Sequence, residues 1–82
     1  MYSVETDAEI LEQLDALPAG ALPSYAEALT ALAVAPWSGH PYDRSRPDGN
    51  LRTLAFGEYG FLIYLVIEDQ RRVFIVRIVW AG

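Results

Sequence analysis

Residues 60–82, GFLIYLVIEDQRRVFIVRIVWAG, decide the fold predicted for this chain. Two runs of aliphatic and aromatic residues, FLIYLVI and RRVFIVRIVW, flank the polar pair Asp69-Gln70, which is typical of a β-hairpin with a two-residue turn. Both faces of this hairpin are apolar, although a ribbon in a small protein usually exposes one polar face. Something must therefore cover each face. The predicted facing pairs are Glu68 with Arg71, Val66 with Val73, Tyr64 with Ile75, and Leu62 with Arg77.

Because side chains alternate along a strand, this register sorts the hairpin into two faces. We expect one face to form the core beneath the helices, and it comprises Phe61, Ile63, Leu65, Ile67, Phe74, Val76, Ile78 and Trp80. We expect the other face to be exposed and to bind a partner, since it exceeds the roughly 400 Å² of apolar surface that a monomer leaves exposed without purpose. The predicted partner-binding residues are Leu62, Tyr64, Val66, Val73, Ile75, Arg77 and Val79.

Two amphipathic helices are predicted upstream of the hairpin. The motifs Thr6-x-x-Glu9 and Ser24-x-x-Glu27 are capping boxes, in which side chains bind free backbone N–H groups at a helix start. Pro18 with Gly20 ends the first helix, Pro36 ends the second, and the short connection predicts an antiparallel helical hairpin. Apolar residues recur at helical spacing as Ile10, Leu11, Leu14 and Leu17 in the first helix and as Tyr25, Ala28, Leu29 and Leu32 in the second.

Residues 36–50, PWSGHPYDRSRPDGN, contain three prolines and two glycines and show no periodicity, so we predict a loop. Loops of about 15 residues are uncommon in compact domains and are often functional, with a merely connecting loop as the alternative. MYSV at the start and LRTLAF after the loop are typical of strands. The predicted fold is α+β in the order β-α-α-β-β-β, a small antiparallel sheet packed on one face by the helical hairpin, within a single domain of residues 1–82.

The composition excludes several classes of site. The chain has no cysteine, which rules out disulfides, thiolate catalysis and cysteine-based zinc sites, and it has one histidine. No cofactor or metal is predicted, because the sequence contains no phosphate-binding loop and no metal-ligand spacing. The net charge of −5 disfavours nucleic-acid binding by the chain as a whole. All the arginines follow residue 43, however, so the sequence permits a local basic zone.

The sequence also bears on location. No run of about 18 apolar residues indicates a membrane span. The acidic start, MYSVETDAEI, lacks the basic region with which a signal peptide begins. We therefore expect a cytoplasmic protein with no membrane partner.

Nearly the whole chain resembles the RelE/ParE superfamily of bacterial type II toxin–antitoxin toxins. The resemblance lies in the order of elements, in the helical hairpin that ends at a proline, and above all in residues 51–80, LRTLAFGEYGFLIYLVIEDQRRVFIVRIVW. It implies a growth-inhibiting toxin, either a ribosome-dependent mRNA endonuclease or a DNA gyrase inhibitor, that a cognate antitoxin holds inactive. The antitoxin, or a second copy of the chain in a homodimer, would then cover the open face.

The sequence departs from the ribonuclease branch of that family where catalytic cations are expected. The resemblance places an arginine at Leu62, basic residues at Thr53 and Ala55, and a cationic or imidazole-bearing segment at residues 80–82, which read WAG here. Stabilising the transition state of phosphodiester cleavage requires positioned cations. We therefore expect a toxin that acts through protein contact. A residual ribonuclease and a non-toxic dimerising module are the alternatives, and whether the chain is an enzyme stays open.

The candidates for a catalytic role under the ribonuclease alternative are Arg77, Tyr64, Arg44, Arg46 and His40. Arg77 is the lone charge within the predicted open face, where a guanidinium can bind phosphate or a carboxylate, and its alternative role is to deter strand aggregation. Tyr64 beside it offers a ring for stacking or a hydroxyl. The imidazole of His40 in the loop is the side-chain type that serves as a general base, although a lone surface histidine usually has no such role. Arg52 is predicted to lie on the other face from Arg77 and to form a structural salt bridge.

Overall fold

The computed structural model describes all residues from 1 to 82 and contains two helices and one five-stranded sheet. Its elements are β1 (Ser3–Glu5), α1 (Ala8–Asp15), α2 (Leu22–Val34), β2 (His40–Pro41), β3 (Leu51–Phe56), β4 (Gly60–Ile67) and β5 (Arg72–Trp80). Short 3₁₀ turns occupy Ala19–Ala21, Pro36–Ser38 and Glu68–Gln70. The strands lie in the order β1-β5-β4-β3-β2. Neither helix is long and apolar enough to cross a membrane.

The predicted α+β fold is confirmed, with two differences in the sheet. First, His40–Pro41 within the predicted loop form the edge strand β2, which pairs with Arg52 and Thr53 of β3. Second, β1 runs parallel to β5, so the sheet is mixed rather than wholly antiparallel. The helical hairpin separates β1 from the later strands, and no local pattern therefore fixes the direction of this short strand.

Both helices begin at residues other than those predicted. The N-cap of α1 is Asp7 rather than Thr6, because the Asp7 carboxylate accepts a hydrogen bond of 3.0 Å from the backbone N–H of Ile10. The second helix begins at Leu22, two residues before Ser24, and has no side-chain cap. A 3₁₀ turn leads directly into α2, and Pro23 in its first turn has no N–H that needs a partner.

The core lies on the face of the hairpin that was predicted to be exposed. The helices contribute Ile10, Tyr25, Ala28 and Leu32 to this core, and the hairpin contributes Leu62, Tyr64, Val66, Val73, Ile75 and Ile78. The prediction that Leu62, Tyr64, Val66, Val73 and Ile75 form an exposed partner-binding face is therefore wrong. Both faces are largely apolar in sequence, and the alternation alone could not indicate which of them the helices cover. Among the predicted helical stripes, Leu11 is the exception, since it is 53% exposed.

A β-bulge changes the register of the hairpin halfway along. The predicted pairs Val66 with Val73 and Tyr64 with Ile75 are confirmed, but Leu62 pairs with Ile78 instead of Arg77. Val76 is the extra residue of β5, and the side chains that follow it change faces. Ile78 and Trp80 consequently face the core as predicted, whereas the other predicted core residues face away from the helices: Phe61, Ile63, Leu65, Ile67, Phe74 and Val76.

The turn of the hairpin is also longer than predicted. The last facing pair is Ile67 with Arg72, so the connection comprises Glu68, Asp69, Gln70 and Arg71. Arg71 closes it in the left-handed conformation with φ of 54°. At the other end of β5, the N–H of Ile78 donates to the side-chain oxygen of Gln13 in α1 at 2.7 Å. The first helix thus supplies a hydrogen-bond partner along the edge of β5 that β1 leaves unpaired.

Candidate functional site

The sheet face opposite the helices, which we call the open face, is largely apolar. It carries Phe61, Ile63 and Leu65 of β4 together with Val76 and Val79 of β5. Phe61 is 39% exposed and Val76 is 50% exposed. The bulge brings Arg77 to this face opposite Ile63, so the lone cation of the hairpin interior lies among exposed aliphatic side chains.

Two depressions adjoin the open face, the first of them bounded at the edge of β5 by Glu9 and Gln13 of α1. The sheet depression, of about 380 Å³, is lined by Glu9, Gln13, Tyr42, Leu51, Ile63, Val76 and Arg77. The loop depression, of about 480 Å³, is lined by Tyr42, Asp43, Arg44, Arg46, Gly49, Asn50 and Leu51. Tyr42 and Leu51 line both of them, so the two depressions adjoin, and we call them together the groove.

The charges along the groove are mostly unpaired. Neither Arg44 nor Arg77 is within 4.0 Å of a carboxylate, and Arg46 reaches Asp43 only at 4.0 Å with both side chains exposed. Such a pair contributes little. Hydrogen bonds from the side chain and the backbone of Ser45 lower the pKa of Asp43, which favours its charged form. The groove therefore presents guanidinium groups at both ends, with Glu9 as the acidic side chain of the sheet depression.

The structure brings three of the five catalytic candidates to the groove. Arg77 lines the sheet depression, and Arg44 and Arg46 line the loop depression. Tyr64 does not reach it, because its side chain is fully buried and its hydroxyl donates a hydrogen bond of 2.6 Å to the carbonyl of Pro36. His40 is exposed in β2 but lines neither depression. No group of three or more histidine, aspartate and glutamate side chains is placed to hold a metal ion.

Tyr42 is the groove residue that the sequence did not single out. It lies at the junction of the two depressions and is 56% exposed. The signal for it was an aromatic residue just before two arginines in a loop rich in glycine and proline. Val79 and Arg77 are the members of the predicted partner-binding set that do reach the open face, since both follow the bulge.

A buried arginine binds both ends of the loop of residues 36–50. Arg52 faces the core side of β3 opposite Tyr64 and is only 7% exposed. Its guanidinium donates to four backbone carbonyls, those of Gly39 at 2.8 Å, Gly49 at 3.0 Å, Pro47 at 3.2 Å and Trp37 at 3.4 Å. It lies on the other face from Arg77 as predicted, but the predicted salt bridge is wrong, because its partners are carbonyls.

Tyr64 anchors the same loop and leaves no room beside it. Burial raises the pKa of the Tyr64 hydroxyl, against the opposing effect of the nearby Arg52 charge, and the neutral hydroxyl serves as a donor to Pro36. A Cβ atom at Gly39 would collide with this hydroxyl and with the carbonyl oxygen of Thr53. Gly39 is therefore required by close approach rather than by backbone conformation.

Glu68 joins the loop to the hairpin turn and to the N-terminal segment. Its carboxylate accepts hydrogen bonds of 2.7 Å from the indole N–H of Trp37 and from the hydroxyl of Tyr2, and it accepts one of 3.2 Å from Arg71. The guanidinium of Arg71 also lies over the ring of Tyr2, 4.9 Å from its centroid. These donors, with Trp37 first, lower the pKa of Glu68.

No protein-family model and no curated protein matches the sequence. The fold, however, matches solved structures. The isolated E. coli RelE toxin gives a TM-score of 0.79 at 15% identity over 100% of this chain and 86% of that one. An E. coli RelE mutant in complex with an antitoxin RelBc peptide gives 0.78 at 18% identity, over 99% and 84%. The conserved hypothetical protein HP0892 from Helicobacter pylori gives 0.59 at 15% identity, over 98% and 94%.

We expect Gly39→Ala to lower the unfolding free energy by about 1–3 kcal/mol, because the added methyl group displaces the Tyr64 hydroxyl and the Thr53 carbonyl. Gly20→Ala is the matched control, since nothing lies within 4 Å of a Cβ at that position. The control should change the unfolding free energy by less than about 1 kcal/mol. Urea denaturation measures both, and equal stabilities of the two variants would contradict the close packing at Gly39.

We expect the stability contributed by Glu68 to depend on pH. Its pKa in the folded state lies below the usual 4.5, so the charged form stabilises the fold above that pH, and this contribution is lost as the pH falls through the folded-state pKa. Between about pH 5 and pH 3, the unfolding free energy of the wild type should therefore fall more steeply than that of Glu68→Gln. Asp69→Asn, a change at the neighbouring exposed carboxylate, should keep the wild-type slope. Equal slopes for the wild type and Glu68→Gln would contradict this role.

The chain places two helices on one face of a five-stranded sheet, and this arrangement superposes on RelE over the whole length of this chain. In fold, the chain is similar to the E. coli RelE toxin.

Proposed function

We propose that the chain is the toxin of a toxin–antitoxin pair, that it inhibits growth, and that the groove is its working surface. The observation that carries the proposal is the full-length likeness of its fold to RelE, one of whose structures holds an antitoxin peptide. The groove supports it independently, because exposed apolar surface such as that of Val76 marks an interaction site, and arginine is enriched at protein interfaces.

The antitoxin is proposed to cover the open face. Val76 and Phe61 offer exposed apolar surface, and Arg77 among them offers a charged hydrogen-bond donor for a carboxylate of the partner. A partner segment with an apolar stripe and an acidic side chain matches this exposed apolar surface and the positive charge of Arg77. This assignment replaces the face predicted from the alternation, whose central residues are buried.

An mRNA endonuclease is the second candidate, and one observation favours it. Arg77, which is far in sequence from Arg44 and Arg46, lines the depression that adjoins theirs. Guanidinium groups in such an arrangement bind successive phosphates and stabilise the charge that develops during cleavage. Thr53 and Ala55 supply no further cation from β3, so the three arginines would have to serve alone. DNA gyrase as the target, and a homodimer through the open face, remain the other proposals that the resemblance raises.

Growth of a bacterial host after induction tests the toxin proposal. We expect the wild type to reduce the growth rate and the viable count, and Arg77→Ala to relieve this effect. Arg72→Ala is the matched control, because Arg72 is an exposed arginine of the same strand that pairs with Glu5 at 3.1 Å outside the groove. Relief by both variants, or by neither when the wild type arrests growth, would contradict a role for the groove.

The same cultures separate the two candidate activities. If the toxin is an endonuclease, mapping of mRNA ends should reveal cleavage sites that appear on induction, and Arg77→Ala should reduce cleavage by about 100-fold or more, the usual effect of removing one transition-state donor. Arrest without new mRNA ends would favour a toxin that acts through protein contact. Normal growth with accumulated folded wild-type protein would overturn the toxin proposal.

Co-expression with the product of a short open reading frame, if one neighbours the gene, tests the proposed antitoxin surface. We expect the wild type and Val34→Glu to co-purify with this product and to be neutralised by it. Val76→Glu should fail, because it places a carboxylate on the apolar floor. Val34 and Val76 are 63% and 50% exposed, so the control introduces the same charge at a similarly exposed valine in α2. Equal co-purification of both variants would contradict the assignment. The mass of the purified chain shows whether it instead forms a homodimer, and a monomeric mass for Val76→Glu would place the contact on the open face.

A further inference from the structure

Arg52 is a buried charge with no carboxylate partner. A guanidinium in a protein interior is normally paired with an acid, since an isolated buried charge is costly. Here the compensation comes from the carbonyl dipoles of Trp37, Gly39, Pro47 and Gly49. The indole ring of Trp37 lies 5.4 Å from the guanidinium carbon and covers it further.

These four carbonyls belong to the two ends of the same loop. Trp37 and Gly39 lie on the part of the loop that leaves α2, and Pro47 and Gly49 lie on the part that returns to β3. One terminal nitrogen of Arg52 donates to the returning part and the other donates to the outgoing part. The segment between the tied ends, residues 42–46, contributes four of the seven residues that line the loop depression, among them Arg44 and Arg46.

We propose that Arg52 is a positioning residue, which ties the two ends of the loop together from beneath and so gives the groove its loop half. Its effect on activity rests on the proposed function, whereas its effect on the loop does not. With the ends tied, Arg44 and Arg46 lie beside Leu51 before any ligand binds. The conformational entropy lost in ordering a loop of about 15 residues is therefore lost on folding rather than on binding.

The shape of the guanidinium is what this role requires. Its two terminal nitrogens point in fixed directions and can donate to two groups of acceptors at once, whereas the ammonium group of lysine is a single point with rotatable donors. Tyr64 supports the same arrangement, because its hydroxyl binds the Pro36 carbonyl at the start of the loop. Lysine at position 52 would keep the positive charge and lose the two fixed donor directions.

Amide hydrogen exchange of Arg52→Lys tests the proposal directly. Tyr42, Arg46 and Gly49 report on the loop, since their N–H groups each make a backbone hydrogen bond of 2.9 Å there. Amides of the β4–β5 ladder report on the fold as a whole. We expect exchange of the loop amides to accelerate by about tenfold or more, equivalent to about 1.4 kcal/mol, while exchange in the ladder changes by less. Equal acceleration in both places, or none in the loop, would overturn the proposal.

Arg52→Ala adds a rescue experiment that a merely structural role would not support. The substitution leaves the four carbonyls without their donor, and methylguanidinium at millimolar concentration, far below denaturing levels, supplies a planar replacement. We expect it to restore slow exchange of the loop amides, and methylammonium at the same concentration to restore little. Equal effects of the two cations would contradict the requirement for a planar group with two fixed donor directions. If Arg52→Ala does not fold, Arg52→Lys decides the question alone.

Growth inhibition is read separately in the same variants. If the wild type arrests growth, Arg52→Lys should arrest it less at equal levels of folded protein, and full arrest with a loosened loop would overturn the link between loop and activity. If the wild type has no effect on growth, the proposed function fails, but the exchange experiments still decide whether Arg52 positions the loop.

Discussion

One extra residue in β5 determines how the two faces of the sheet are used. Without the bulge at Val76, Arg77 would lie opposite Leu62 and point into the core. A guanidinium there would lose its hydration without gaining a carboxylate, which is far more costly than a local irregularity in the ladder. The bulge exposes Arg77 and buries Ile78 in a single step, and Gln13 accepts the N–H of Ile78 at the strand edge.

The second constraint is the polar end of the core. Arg52 and Tyr64 are neighbours on the core face of adjacent strands, and between them they donate to five carbonyls of the loop. Buried donors of this kind must be satisfied, and here the loop backbone satisfies most of them. The two ends of the loop are consequently tied to the folded core, while residues 42–48 between them stay exposed. Gly39 is the position at which this arrangement allows no side chain.

The elements of the fold could be predicted from the sequence because their signals are local. The helical stripes, the prolines that end the helices and the β-rich hairpin gave the α+β order, and the pairs around Tyr64 and Ile75 followed from the hairpin itself. The covered face could not be predicted. Its assignment depends on which of two largely apolar faces the helices pack against, and on a bulge that no residue near Val76 indicates. Arg77 was nevertheless correctly predicted to lie on an exposed face. The prediction took the wrong face as exposed and lacked the bulge, and at Arg77 these two errors cancel.

The candidate site was harder to predict because it is assembled from distant segments. Arg44 and Arg46 were recognised as cations in a long loop, but only the folded chain brings them into one groove with Arg77. Tyr64 was assigned to the same site on the basis of its type and neighbours, and its burial removes it. Arg52 was expected to bind an acid, and the carbonyls that it binds instead belong to glycine, proline and tryptophan residues whose sequence gives no sign of acceptor roles.

The charge of the whole chain says little about what the groove binds. At physiological ionic strength, charges separated by more than about 8 Å in water are largely screened, so the acids outside the groove contribute little to the potential inside it. The local balance sets Arg44, Arg46 and Arg77 against Glu9 and Asp43. A single-stranded nucleic acid also needs rings for base stacking, and Tyr42 is the one aromatic side chain that lines the groove. The floor beside Arg77 is aliphatic instead, and a surface of that kind with a few guanidinium groups is better matched to a protein segment than to RNA.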